Sequence, residues 1–589
     1  MDQKRLFVAI LISLAILVGY QFIATRYLPH PPVPQTTATS AGTPNGAANG
    51  TSAGTSGVTA TSGPPAAAAA AAAARAAAPR VAIDAPSVHG SLSLLGARID
   101  DVVLTKYRQT EAPNSPDVRL LARAGTKHPY YAQYGWSAAP GEHVALPGPD
   151  TVWTASAKTL SPGHPVTLSW DNGAGLTFRI ALTIDDNYMF GVTQSVSNAT
   201  KTAVGLFPWM RIRRDYTPPV SGYYILFEGL TGVAHDRLQE MGYPKAKSDA
   251  KDKPDNVAYE ATSKGGWAGF ADKYWLAAAI PDQAIPTTLR YRYIPGGDGH
   301  YQVDYVPAAA QTVAPGGSAE MATHLFAGAK VVDLLDRYEA QLHIPQFDKA
   351  VDFGWFYFLT KPIFYALDYL NALLGNFGLA IMAFTVCVKL LFFPLANYSY
   401  RSMSKMRLLA PKIQAMRERY KDDPQKQQQE MMALYKTEKV NPASGCLPML
   451  VQIPVFFSLY KDIFVTIEMR QAPFFGWIHD LSQVDPTNLF TLFGLVHWDP
   501  TTISPFLHLG AWPILMGFTM WLQQKLNPPP PDPMQARLFQ FMPIIFTFML
   551  ARMPAGLVIY WTWNNLLSVT QQWIIMRRTK LARPGLART

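Results

Sequence analysis

A lysine set in an apolar stretch is the first candidate for chemistry in this chain. Phe377 to Ala396, FGLAIMAFTVCVKLLFFPLA, carries one charge, Lys389. About 20 residues at about 1.5 Å each give roughly 30 Å, the thickness of a bilayer's hydrocarbon core. A lysine near the middle of such a helix costs about 2.5–3.5 kcal/mol on insertion scales, so a chain that keeps one uses the charge or hides it. Snorkelling is the structural alternative, since Lys389 lies about seven residues, roughly 10 Å, from the end of the stretch.

Other polar residues interrupt the apolar stretches nearby. Thr385 sits one turn before Lys389, and the stretch 445–467 carries Pro448, Gln452, Pro454 and Ser458. The last stretch carries Asn564, Ser568 and Gln571, spaced i, i+4, i+7 and hence on one helix face. Taken singly, each reads as an interhelical hydrogen bond worth about 0.6 kcal/mol. Together with an unpaired lysine they point to a wet, positively charged recess inside a helix bundle. No obvious carboxylate in the five carboxy-terminal stretches neutralises Lys389, which leaves water and mobile negative charge as its compensation.

The rest of the chain offers little for catalysis. Cys387 and Cys446 are the only cysteines, and no CxxC or Cys/His zinc spacing exists. Neither a metal nor a cofactor is expected. Asp185 and Asp186, among aromatics, have the composition of a sugar site, but nothing around them has catalytic spacing, and no enzyme activity is assigned.

The elements that must position Lys389 follow from composition. A chain of 589 residues needs several domains, and 49% hydrophobic against 16% charged residues favours a membrane protein. Lys4 and Arg5 precede the apolar run 6–24, which is longer than a signal peptide's apolar region of about 7–15 residues and lacks a small-x-small cleavage site. Residues 1–28 read as an uncleaved anchor with its amino terminus in the cytoplasm. The Pro, Ala, Thr, Gly and Ser composition of 29–80 cannot bury a core and reads as a flexible tether.

Over 81–335 the period is that of strands. Leu176, Phe178, Ile180, Leu182 and Ile184 alternate with polar or small residues, as do Val166, Leu168 and Trp170, with Asp171-Asn172-Gly173 as the turn. Leu289, Tyr291 and Tyr293 form a second such pair with Tyr301, Val303 and Tyr305. This predicts a large antiparallel β domain, a sandwich. Residues 336–375 then turn helical, and the aromatic segment 351–375, with Asp352, Lys361 and Asp368, reads as an amphipathic helix in the membrane interface.

Charge sets the topology. The loop 397–444 holds ten Lys and Arg residues, among them Arg401, Lys405, Arg407, Arg417 and Arg419, against five acids, Glu418, Asp422, Asp423, Glu430 and Glu438. The positive-inside rule makes it cytoplasmic. Asp423-Pro424 supplies a cap and a first-turn proline, so two helices fold as a hairpin over 397–440. Apolar stretches at 445–467, 506–525, 537–553 and 556–576 follow. The loop 468–505, with Arg470 as its only Lys or Arg, suits the outside, and the basic tail 577–589 the inside. Six transmembrane helices with both termini cytoplasmic result.

Long runs within this chain resemble the YidC-type bacterial membrane protein insertases that carry a large periplasmic domain. They are YRSMSKMRLLAPKIQAMRERYKDDPQKQQQEMMALY from Tyr400, KVNPASGCLPMLVQIP from Lys439 and RQAPFFGWIHDLSQVDP from Arg470, with Phe541-Met542-Pro543 and Pro554-Ala555-Gly556-Leu557 near the end. The resemblance implies a multi-pass α-helical inner-membrane protein with a five-helix insertase core over 376–576. It also implies a periplasmic β-supersandwich and a hydrophilic groove open to cytoplasm and lipid. The family's groove cation falls on Lys389, where arginine is more usual, and an aromatic pair that contacts the client falls on Tyr560 and Trp561. Implied partners are nascent membrane proteins, the Sec translocon, the ribosome and anionic lipids, the last two meeting the basic hairpin. The rival reading is an ion or solute transporter, which should show repeated broken helices and a coupling carboxylate. A membrane-anchored sugar enzyme is a third.

Overall fold

The structure, a computed structural model, describes residues 78–221, 225–421, 423–438, 440, 447–496, 498–504, 507–527 and 533–581. The expected anchor (1–28), nearly all of the tether, Cys446 and the end of the basic tail lie outside the described residues.

Alternation of apolar side chains builds the first part. In Leu176–Ile184 every second residue is buried, and the strand pairs with Val166–Asp171 in the register Val166↔Leu182, Asp171↔Thr177. The turn between them needs Gly173, whose φ is 70°, and the Asp171 carboxylate accepts from its amide at 2.8 Å. Pro286–Ile294 and His300–Pro307 pair likewise, with Leu289 opposite Tyr305. Two sheets result, of eleven and nine strands. Val204–Arg214 lies between Tyr130–Ala138 and His300–Pro307 in the first. Ser318–Ala329 lies between Met189–Asn198 and Trp275–Ile280 in the second. Both sheets feed one core: the Trp136 ring of the first meets Phe178 of the second at 5.1 Å, and Tyr130 meets Phe270 at 5.8 Å. Among the described residues the domain is all-β apart from α1 (Tyr243–Ala250) and a short 3-10 turn, Pro254–Asn256.

Helices take over after the last strand: α2 (Val332–Leu342), α3 (Tyr357–Leu374), α4 (Phe377–Leu391), α5 (Phe393–Arg419), α6 (Pro424–Thr437), α7 (Leu447–Val465), α8 (Ala511–Leu526), α9 (Pro533–Leu550) and α10 (Ala555–Leu581). In α3, Thr360, Ile363, Phe364 and Leu367 are buried at helical spacing, whereas Phe358, Tyr369 and Leu373 on its other faces are exposed. Gly375 ends the helix in the left-handed region, at φ 68°.

No single described helix is long and apolar enough to cross a membrane; α4 and the first part of α5, Phe393–Met406, meet that test together but are bent by 67°. The stretch 377–396, expected as one span, therefore breaks at Phe392. Pro394 in the first turn of α5 has no amide to continue the α4 ladder, and its ring crowds the preceding turn. The bend falls three residues beyond Lys389.

The β domain seats directly on the helices. Phe464, Val465 and Ile467, at the end of α7 and just beyond it, belong to the core of the β domain. The Glu468 carboxylate accepts from the Val332 amide at the start of α2, at 3.0 Å. Lys461 pairs with Asp352 at 2.9 Å, and the Tyr274 hydroxyl bonds Ser482 at 3.2 Å.

Candidate functional site

Three helices, α4, α7 and α10, meet around Lys389, which is half-buried. Its ammonium donates to the Ser568 hydroxyl at 2.9 Å, and that hydroxyl donates onward to the Asn564 carbonyl at 2.8 Å. The Tyr400 hydroxyl, from α5, hydrogen-bonds the same serine. Among the described residues no carboxylate pairs with Lys389.

Beside the lysine lies a cavity of about 40 Å³, lined by Lys389, Phe392, Tyr400, Gln452, Gln571 and apolar side chains of α4, α5 and α7. A water needs about 10–15 Å³ of such space, so the cavity has room for a few waters and for no polypeptide. The Gln571 amide nitrogen is buried without a protein partner among the described residues, and Gln571 lines this cavity. Toward the other end of α4 the gap between Phe384, Thr385, Gln452, Tyr560 and Asn564 closes to no water-sized space. There the Gln452 side chain donates to the Tyr560 hydroxyl. The recess thus has a water-sized space at one end, toward α5, and is closed at the other.

The residues singled out from sequence divide. Lys389, Gln452, Ser568, Asn564 and Gln571 converge on the recess. Thr385 lines its plug, with its hydroxyl returned to the Ile381 carbonyl at 2.6 Å. Ser458 does not face the recess: it is fully buried and takes a hydrogen bond from Thr360 of α3 at 3.3 Å. It sits about one and a half turns beyond Gln452, which rotates it to another face of α7. Tyr560 is buried, whereas Trp561 is half-buried between α7 and α9, its ring 4.7 Å from Phe456 and 5.9 Å from Phe546.

The hairpin forms as its cap predicts: the Asp423 carboxylate accepts from the Lys426 amide at 3.0 Å, with Pro424 opening α6. Leu409, Ile413 and Val440 make its small core. Arg401, Lys405 and Arg419 are exposed, Arg417 is half-buried, and the Arg407 side chain lies outside the described residues.

Sequence reasoning missed three things. Asn565 and Gln572 form a second polar row on α10, turned to α8: Asn565 donates to Thr519 at 3.2 Å and Gln572 to the Leu526 carbonyl at 3.1 Å. Their i, i+7 spacing carried the signal. Tyr400 reaches the recess only because the helix bends. Asp462 is a carboxylate within the stretch 445–467 that the sequence reading did not single out: it sits in α7, fully buried, and neither oxygen has a hydrogen-bond partner among the described residues. It lies ten residues beyond Gln452, about 15 Å along the helix, and it is no partner of Lys389.

A metal has one possible seat among the described residues, the oxygens of Asp336, Glu339 and Asp348, which lie within 4.8 Å of one another. The Lys361 ammonium already occupies that place, 2.9 Å from Asp336 and 2.6 Å from Asp348. The cluster ties α2 to α3.

The chain matches two families, one described as the YidC periplasmic domain over residues 80–366 and one as the 60Kd inner membrane protein over 369–582. It is 60% identical to the membrane protein insertase YidC of Granulibacter bethesdensis, covering 100% of both chains. It is 56% identical to the insertase of the same name from Acidiphilium cryptum, over 99% of this chain and 98% of that one. A solved YidC insertase with its first transmembrane domain resolved is similar at 16% identity and a TM-score of 0.34, over 84% of this chain and 92% of that one, too weak a likeness to argue from.

Proposed function

The chain belongs to the YidC family of membrane protein insertases, and from that premise we propose that it inserts nascent membrane proteins into the inner membrane through the recess at Lys389. It does so without enzymatic chemistry. A hydrophilic, often acidic, segment of the client enters from the cytoplasm and is held at the ammonium, while the client's apolar segment leaves between α7 and α9 into lipid. The observation that carries this reading is a lysine whose one hydrogen-bond partner among the described residues is a serine, placed where a water-sized cavity meets a closed end.

The cavity is too small for a peptide, so α7 and α9 must part along the seam that Trp561 closes. Energy for this comes from lipid: at about 25 cal/mol per Å², burying roughly 1,000 Å² of client apolar surface yields about 25 kcal/mol. Six spans are proposed, the anchor at 6–24 together with α4, α7, α8, α9 and α10, with both termini in the cytoplasm. At 15 and 16 residues, α4 and α8 reach only about 22–24 Å. Spans shorter than the roughly 30 Å core thin the bilayer around them, which shortens the path of the client's polar segment. The α5–α6 hairpin, with Arg401, Lys405, Arg407, Arg417 and Arg419, is the proposed docking element for ribosome and anionic lipid, and the Sec translocon is a proposed partner of the chain as a whole.

A transporter would couple Lys389 to a carboxylate. Asp462 is the buried carboxylate of α7, but the plug lies at the end of the recess nearer to it, and among the described residues no hydrogen bond links the two. Purified full-length chain in proteoliposomes tests the proposal: it should bring a single-span client to a protease-protected state with neither nucleotide nor Sec components present. Solute uptake with no client protection would overturn it.

A further inference from the structure

The segment Leu489–Ile503, between α7 and α8, presents an apolar surface on the periplasmic side that neither the β domain nor the bundle covers. Leu495 and Ile503 are 81% and 72% exposed, and Leu492, Phe493, Val496 and Trp498 are exposed beside them. Between Asp485 and Lys525 the sequence has one charged residue, Asp499. An ordinary solvated loop of this length carries more charge and less apolar surface.

Its backbone is also unlike that of a loop built for water. The amides of Thr491 and Phe493 both donate to the Asn488 carbonyl, at 3.3 and 2.9 Å, and the Val496 amide donates to the Thr491 carbonyl at 3.0 Å. The Trp498 indole donates to the Phe490 carbonyl at 3.0 Å. Leu492 and Phe493 hold left-handed backbone, at φ 49° and 57°, which L side chains adopt at a cost. The loop is pinned below: the Leu489 amide donates to Leu509 at 2.8 Å, and Asp485 accepts from the Trp512 amide at 2.9 Å. Amides mostly paired within the loop, aromatic and aliphatic tips and near absence of charge suit a segment lying at the membrane interface.

We propose that Leu489–Ile503 is a membrane-dipping loop whose occupant is the acyl-chain region of the periplasmic leaflet. It rests on the reading of α8 as a span: that helix begins at Ala511, soon after the loop in sequence, and itself exposes Leu515, Phe518 and Trp521. Trp498 stays at headgroup level and Leu495 and Ile503 go deeper, about 5–10 Å below it. The loop wedges the leaflet opposite the cytoplasmic recess and anchors the plugged end of the bundle.

The test uses full-length chain lacking Cys387 and Cys446, with an environment-sensitive fluorophore on a single cysteine at Leu495, Val496 or Ile503, in phosphatidylcholine–phosphatidylglycerol vesicles. Phe518, exposed on α8, and Thr110, exposed on the β domain, are the reference sites. Lipids brominated on the acyl chain should quench the loop sites as strongly as Phe518, and aqueous iodide should quench only Thr110. Iodide quenching of the loop sites with lipid quenching at Phe518 overturns the loop proposal alone. Quenching of the loop sites by neither agent means a protein covers them and overturns it too. Loss of lipid quenching at Phe518 removes the span reading beneath it.

Discussion

Replacing Lys389 with methionine deletes the charge while keeping an unbranched side chain, and so isolates electrostatic capture. The ammonium is 2.9 Å from Ser568 and has no carboxylate partner among the described residues. A client carboxylate brought to about 4 Å gains about 4 kcal/mol at an effective dielectric near 20 and about 1 kcal/mol in bulk water. The half-buried position of Lys389 places the figure between those limits. At tenfold per about 1.4 kcal/mol, Lys389→Met should weaken retention of an acidic tail roughly 5- to 1,000-fold and leave a neutral tail nearly unaffected. Lys389→Glu reverses the sign and should be worse still for acidic tails. Lys389→Arg keeps the charge and should stay close to the parent. Protease protection of clients that share one span and differ only in tail acids, in vesicles of each variant, reads the outcome directly. Equal loss for neutral and acidic tails would refute the reasoning and leave Lys389 a structural residue.

Three further outcomes follow from the same structure. Burial pushes the Glu468 carboxyl up from 4.5 to about 7, so between those pH values the unfolded chain alone gives up its proton. Stability at the α2–α7 junction therefore falls as pH rises through that window, by about 3 kcal/mol in all, and denaturant titrations from pH 4 to 8 should show Glu468→Gln flattening the dependence. Ser458→Ala, away from the recess, should cost about 1 kcal/mol of stability through the lost Thr360 contact and leave insertion of every client class unchanged. Asp423→Ala removes the cap of α6 and should destabilise the hairpin by about 1 kcal/mol, seen as faster amide exchange over 424–430 with the recess unaffected.

Much of the architecture was legible because it rests on local periods. The two-residue alternation of 176–184 and the Asp-Asn-Gly turn fix a hairpin with little help from the rest of the chain. Asp423-Pro424 marks a helix start for equally local reasons. The family was legible from unbroken runs such as that beginning at Tyr400. What escaped was geometry that two elements decide jointly. Ser458 carries the same polar signal as Gln452, yet a turn and a half of helix aims it at Thr360. Asn565 adjoins Asn564 in sequence and faces a different helix. Tyr400 reads as the start of a cytoplasmic loop until the bend at Phe392 swings it beneath Lys389. The closeness of the β domain also escaped, because Phe464 and Ile467 read as the end of a span and serve as core of a sandwich.

Adjacent residues on α10 provide the sharpest test. A photoreactive amino acid at Asn564 or Gln452 lies on the recess, whereas one at Asn565 faces Thr519 of α8. With a ribosome-stalled client, crosslinks should form from 564 and 452 and be absent from 565, and they should weaken for acidic tails when Lys389 is made methionine. Crosslinks of equal strength from 564 and 565, or none from 452, would contradict passage of the client through the recess at Lys389.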